Sequence, residues 1–374
     1  MSTSATGNAA PGDSGMRRRI TVAAIQPRLE IGEVDRNLAR IEDLIRQAHR
    51  EHSPELIVAP EAMTSPTVYH PSLRAVARPV DGAPYQLLVR LARELDCLVG
   101  GGFVARRGDD TRGTYVLAEP DGTTHLHDKD QPSMWEHHYY TPGHDDGLFT
   151  TALGTLGCPM GFEWNRSRTA RRLRGRVALL AGGSNWWSYP NWPPLDPWLG
   201  RDHQYNVAVA REMPAWQARA VGAPAVIASH VGAVTCRTPL LPGVPWKTIL
   251  VGESQVVDHD GRVLARMSYD DGEGYVAAEV TLGPVAPAAP IPDGFWMMPQ
   301  AFTIHAVWHY QNLFGRLSYA ANKRRRRFPW QAQPATDLPN YVRGDTAAPA
   351  EPDDGSTADA APDARDPITK AADR

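Results

Sequence analysis

Four places in this chain set a reactive or charge-bearing group at the end of an apolar run, where open α/β sheets mount their sites. Glu61 follows the run 56–59 directly after Pro60. Lys129 follows another run, within His127-Asp128-Lys129-Asp130, and Glu136 comes shortly after it in Met134-Trp135-Glu136. The fourth is Leu156-Gly157-Cys158-Pro159-Met160-Gly161-Phe162-Glu163-Trp164-Asn165-Arg166, which begins apolar and leads into a polar segment, 167–176, with helical character. A strand entering a sharp turn and then a helix exposes one side chain, and the helix start points N–H groups at developing negative charge. The residue at this turn is Gly161, which offers no nucleophile. Cys158 lies three residues early. Because side chains alternate along a strand, positions 158 and 161 are expected to face opposite sides. Cys158 is therefore either a nucleophile brought to the turn by a register slip or a small buried residue.

The elements that position these groups follow from periodicity. Residues 20–25 read as a buried strand, and Asp35 as the cap of a helix over 35–49 with Leu38, Ile41, Leu44, Ile45 and Ala48 on one face. Residues 56–59 form the next strand, 84–95 a second helix, and 97–104 a strand whose Gly100-Gly101-Gly102 suggests close packing. A hairpin is expected across Asp121-Gly122, pairing 114–118 with 123–127. After the turn come a strand at 177–181, a Trp/Pro-rich loop at 186–198, a helix at 215–221 and a strand at 225–229. A second hairpin turns at Asp260-Gly261, and 274–280 closes the series. Strands alternating with helices argue an α/β layered sheet fold over 17–285. Residues 286–345 are expected to be an extension that docks on the body or on a partner subunit. Segments 1–16 and 346–374 are expected to be disordered on composition.

Composition narrows the function. A formal net charge of −3 gives no reason to expect nucleic acid, and the basic run 323–327 reads as a solvated or anion-neutralising patch. Three widely separated cysteines, Cys97, Cys158 and Cys236, form neither a disulfide framework nor a metal pair, so a reducing cytoplasm is expected. The run after Arg17-Arg18-Arg19 is too short for a signal core, and no stretch approaches the roughly 20 apolar residues of a membrane span. The pairs His125/His127 and His137/His138 lack a third matching ligand, so no metal is expected. Without a P-loop or dinucleotide fingerprint, no cofactor is expected either.

Taken together, these pieces resemble the carbon–nitrogen hydrolase (nitrilase) superfamily from about residue 20 to 280. The resemblance rests on Ala23-Ala24-Ile25-Gln26-Pro27, Val58-Ala59-Pro60-Glu61, His127-Asp128-Lys129-Asp130, Tyr140-Thr141-Pro142-Gly143, Gly157 with Phe162-Glu163-Trp164, Val251-Gly252-Glu253-Ser254, and Asp258-His259-Asp260-Gly261-Arg262-Val263. It implies an αββα four-layer sandwich, a homodimer or larger homo-oligomer, and a small-molecule substrate. It places a general base at Glu61, an oxyanion lysine at Lys129, a substrate- or water-steering glutamate at Glu136, and the second oxyanion donor at the backbone N–H of Phe162. It expects a cysteine where Gly161 stands. Trp135, Glu163, Trp186 and Trp187 are expected to line the substrate pocket. Three functions follow: non-covalent C–N chemistry on a small amide, nitrile or related compound, with water activated by Glu61; a catalytically inactive ligand-binding or assembly protein; or a thiol hydrolase using Cys158.

Overall fold

The computed structural model describes residues 18–190, 192–238 and 241–325. The segments expected to be disordered, 1–16 and 346–374, lie outside the described residues, as do the last two residues of the basic run. In chain order the elements are β1 (Arg19–Gln26), α1 (Val34–His52), β2 (Leu56–Val58), β3 (Arg78–Pro79), α2 (Ala83–Leu95), β4 (Leu98–Arg107), β5 (Asp110–Ala118), β6 (Thr124–Asp128), β7 (Leu148–Thr151), β8 (Gly154–Gly157), α3 (Ser167–Leu173), β9 (Leu179–Ser184), α4 (Asp196–Val221), β10 (Ala225–Ser229), β11 (Val231–Thr238), β12 (Leu241–Val251), β13 (Gln255–Val257), β14 (Val263–Arg266), β15 (Gly274–Thr281) and α5 (Phe302–Arg324).

Two mixed sheets stack face to face. One has the order β15-β1-β2-β4-β5-β6, with β3 also on β4, and the other β14-β13-β10-β9-β8-β7; β11 and β12 form a separate hairpin. Strands β1, β2 and β4 run parallel in the first sheet, and β8, β9 and β10 in the second. Val22, Ala24, Leu56 and Val58 meet Leu179, Ala181, Val226 and Ala228 in the layer between the sheets. The alternate residues Ala23, Ile25 and Ile57 pack on the helix side. Burial on both faces is why these strands read as unbroken apolar runs. α1 and α2 cover the first sheet and α4 the second, with α3 packed against α4, giving the expected αββα sandwich.

Several element boundaries depart from those expected. α1 starts at Val34, its cap Glu33 makes no side-chain cap bond, and Asp35 sits in the first turn, where a carboxylate complements the helix dipole. The strand expected at 177–181 is β9, shifted to Leu179–Ser184. The helix expected at 215–221 begins at Asp196 and runs through Pro214, so it takes in the last three residues of the Trp/Pro-rich segment; the described residues of that segment before the 3-10 turn Pro193–Leu195 lie outside helices, as the loop expectation has it. An interior proline removes one helix hydrogen bond, and here the buried face Asn206, Ala210, Met213 and Gln217 holds the helix continuous across it.

Beyond the sandwich, α5 turns Ile304, Trp308, Gln311, Gly315 and Tyr319 inward. It packs on the 3-10 turn Met134–His138, whose sequence includes Glu136. The Tyr319 hydroxyl accepts the Thr111 N–H and donates to Asp110 Oδ1, each at 3.0 Å, and Lys323 Nζ donates to the same carboxylate at 2.7 Å. Leu313, Phe314 and Leu317 point outward and are exposed. Among the described residues no helix is long and apolar enough to cross a membrane.

Candidate active site

The fold brings Glu61, Lys129, Glu136 and Gly161 into one buried cluster. Glu61 leaves the end of β2 in a backbone squeezed between the sheets. A Cβ on Gly102 would stand 2.4 Å from the Glu61 carbonyl oxygen, and one on Gly183 would stand 2.4 Å from its nitrogen. Glycine at both flanks is therefore what allows the backbone carrying Glu61 to run between β4 and β9. Glu61 Oε1 accepts the Asn185 N–H at 3.0 Å, and Oε2 lies 3.2 Å from Lys129 Nζ. Lys129 Nζ donates to Glu136 Oε2 at 2.8 Å, and that oxygen also accepts the Ser133 N–H. The relative exposures of Glu61, Lys129 and Glu136 are 6%, 1% and 4%, so these ionic contacts act with little screening by water.

Two carboxylates face one ammonium. Burial is the main force raising the Glu61 pKa; Lys129 opposes it, Glu136 adds to it, and the result is about 7. Burial also works against the Lys129 charge, but Glu136 and Glu61 outweigh it and hold its pKa above the ordinary lysine value. A carboxyl poised near neutrality beside a fixed cation can take and return a proton at physiological pH.

Gly161 has φ +49°, in the left-handed region that L side chains rarely adopt. An ideal Cβ there would stand 2.5 Å from both Glu61 carboxylate oxygens and 2.8 Å from Cδ. The Glu61 carboxylate thus reaches into the space where a side chain at position 161 would begin.

The turn is braced from behind by a second charged cluster. Glu163 was expected in the substrate pocket, but its oxygens are committed to holding the turn. Oε2 accepts the Met160 N–H and contacts His127 Nε2, both at 2.9 Å, and Oε1 accepts the Asp130 N–H at 3.0 Å. His127 Nδ1 bonds Asp145 Oδ1 on its other side. Although burial works against its charge, Glu163 and Asp145 raise the His127 pKa to about 9. Arg166 pairs with Asp130 in the same cluster. These contacts join the segment bearing Lys129 to the segment bearing Gly161.

Aromatic rings surround the cluster. Phe162 packs on Trp186 at 4.4 Å between centroids, on Trp308 at 5.5 Å and on Trp296 at 5.6 Å. Trp135 packs on Trp187 at 4.1 Å and on Trp246 at 5.6 Å. Trp135, Trp186 and Trp187 are all buried. Cys158 faces away into the layer between the sheets, beside Met160 and Leu156. Burial, followed by the nearby carboxylates Glu163 and Asp145, pushes its thiol pKa well above the ordinary value. Cys236 lies on β11 against the Trp246 carbonyl. His125 pairs with Glu119, and the described residues include no group of three or more His, Cys, Asp or Glu placed to hold a metal ion.

The chain is an αββα sandwich of the α/β class with a buried Glu–Lys–Glu cluster. Residues 21–290 match the model of the carbon-nitrogen hydrolase family, and the chain belongs to it. No curated protein sequence matches the chain. Among solved structures, it is similar to a carbon-nitrogen hydrolase from Helicobacter pylori (TM-score 0.56, 20% identity, 70% of this chain and 89% of that one). XC1258 from Xanthomonas campestris, a CN-hydrolase superfamily protein with an arsenic adduct in its active site, gives a TM-score of 0.54 at 16% identity, over 70% of this chain and 90% of that one. Saccharomyces cerevisiae Nit3, a member of branch 10 of the nitrilase superfamily, gives 0.52 at 20% identity, over 72% and 92%. At these identities the likeness is one of fold.

Proposed function

We propose that this carbon–nitrogen hydrolase acts on a C–N bond of a small amide, nitrile or related nitrogen compound without a covalent enzyme intermediate. Gly161 takes the position where the resemblance expects the nucleophilic cysteine. The observation that carries the reading is the Glu61 carboxyl, with a pKa of about 7, lying against the vacated Cβ position and within 3.2 Å of Lys129 Nζ. For an amide, Glu61 takes a proton from water as the water oxygen bonds to the carbonyl carbon. Lys129 and the Phe162 N–H hold the resulting oxyanion, and the proton passes from Glu61 to the departing nitrogen as the C–N bond breaks. Loss of a covalent nucleophile normally leaves only a small part of a hydrolase's rate, so this route favours activated substrates.

A second reading rests on the same contact. If the Glu61 carboxylate permanently fills the space at Gly161, the protein binds or assembles and does not turn over. Ammonia release from a panel of amides and nitriles decides between them. Activity in the native protein that is lost in Glu61→Gln and kept in Cys158→Ala supports water activation. Activity appearing only in Gly161→Cys identifies a non-catalytic protein, and loss in Cys158→Ala restores the thiol route.

A further inference from the structure

We propose that Asn185 is a substrate-binding residue whose side-chain oxygen accepts an N–H from the nitrogen of the bond to be broken. The substrate class is then one with an N–H-bearing C–N group (a primary amide, urea or amidine) and not a nitrile. The inference rests on the proposed site and narrows what it takes.

Asn185 directly follows β9 and its backbone N–H is bound to Glu61 Oε1, so its side chain starts inside the cluster. The side chain is held in one orientation. Its Nδ2 donates to the Thr67 carbonyl at 3.2 Å, and Trp135 Nε1 donates to the same carbonyl at 3.1 Å. Rotating the amide by half a turn would set Oδ1 against the Thr67 carbonyl, two acceptors facing each other, so the assignment of oxygen and nitrogen is fixed by the network. Oδ1 is left buried, and no protein group among the described residues donates to it. Asn185 is itself only 6% exposed. Other buried side-chain atoms among the described residues are unpaired too; this one belongs to the residue whose N–H is bound to Glu61 and whose Nδ2 is held on Thr67, which makes it an acceptor open to a donor from a ligand in the site.

The donors and acceptors of the cluster then match an amide group. Lys129 and the Phe162 N–H offer donors for its carbonyl oxygen, and Asn185 Oδ1 offers an acceptor for its N–H. A nitrile nitrogen only accepts and would leave Oδ1 unpaired. Sites built to pair a substrate N–H discriminate against analogues that lack it, because the protein group is then stranded.

The test is binding to the full chain, followed through the tryptophans around the cluster by fluorescence titration with propionamide, N,N-dimethylpropionamide and propionitrile. The native protein is expected to bind propionamide about tenfold more tightly than the other two, the usual scale of one buried hydrogen bond. In Asn185→Ala that preference is expected to fall to near one. Equal affinities in the native protein, no binding of any of the three, or a preference unchanged in Asn185→Ala overturns the inference. If Asn185→Ala does not fold, the ligand series on the native protein decides alone. Turnover separates this from the proposed function. A preference for propionamide with no ammonia release keeps the binding role and removes the catalysis. Glu61-dependent turnover without any preference does the reverse.

Discussion

Adding a single methyl group at the turn tests the geometry of the site most directly. In Gly161→Ala the new Cβ meets two opponents. The backbone at φ +49° is left-handed, which costs about 1–2 kcal/mol for an L side chain. The methyl would also stand 2.5 Å from both Glu61 oxygens, so the carboxylate has to leave Lys129 and the Asn185 N–H. Hydrogen bonds to charged groups contribute about 1.5–3 kcal/mol each, and partial recovery elsewhere returns some of this. The expected destabilisation is about 3–5 kcal/mol. In a Glu61→Ala background the collision is gone and only the backbone term remains, about 1–2 kcal/mol. The double-mutant cycle, read by urea unfolding, should therefore show a coupling of about 2–3 kcal/mol between positions 61 and 161. Additivity to within about 0.5 kcal/mol would refute the claim that the Glu61 carboxylate occupies this space.

Three further outcomes are expected. Glu61 titrates near 7 when folded and near the ordinary glutamate value when unfolded, so the folded state binds more protons between those values. Its contribution to stability is complete below about pH 4 and falls by roughly 3 kcal/mol as pH rises through 7; unfolding midpoints of native protein and Glu61→Gln should converge or cross over that window. Replacing His127 by Gln removes the nearest cation from Glu163 and leaves it only Arg172 at 3.7 Å and Arg166 at 3.8 Å, which should cost about 1–3 kcal/mol in chemical denaturation, and the native contribution of His127 should be present below pH 6.5 and lost above about 9. Cys158, fully buried with a raised thiol pKa, should resist iodoacetamide at neutral pH while folded and label on unfolding, which mass spectrometry reads directly.

The sandwich was legible because its central strands are buried on both faces and bounded by clear breaks, as at Pro60 and Gln26. Glu61 and Lys129 stood out just past apolar runs, but it was the resemblance that set them with Glu136 in one site, and the structure brings the three into contact. Direction was not legible. Glu163 is adjacent to the turn, yet it points behind it to His127, and no spacing rule separates those two outcomes. His127 was visible only as half of a histidine pair; its acidic partners come from Asp145 and Glu163, and only the tertiary structure joins them. Asn185 carried one weak signal, the polar break Ser184-Asn185 at the end of an apolar run. α4 was hidden by Pro214, and its buried face carries Asn206 and Gln217, which blur the apolar period.

The C-terminal helix bears on how this protein can be handled in pieces. The family match stops at residue 290, but Phe162 rests on Trp296 and Trp308, both beyond it. A chain trimmed to the family boundary would strip the lid from this aromatic cluster and expose Phe162, which belongs to the turn itself. Such a fragment should be sticky and slow to purify, and its failure to act on a substrate would say nothing about the intact protein. For this chain, the smallest unit worth assaying extends to the end of α5.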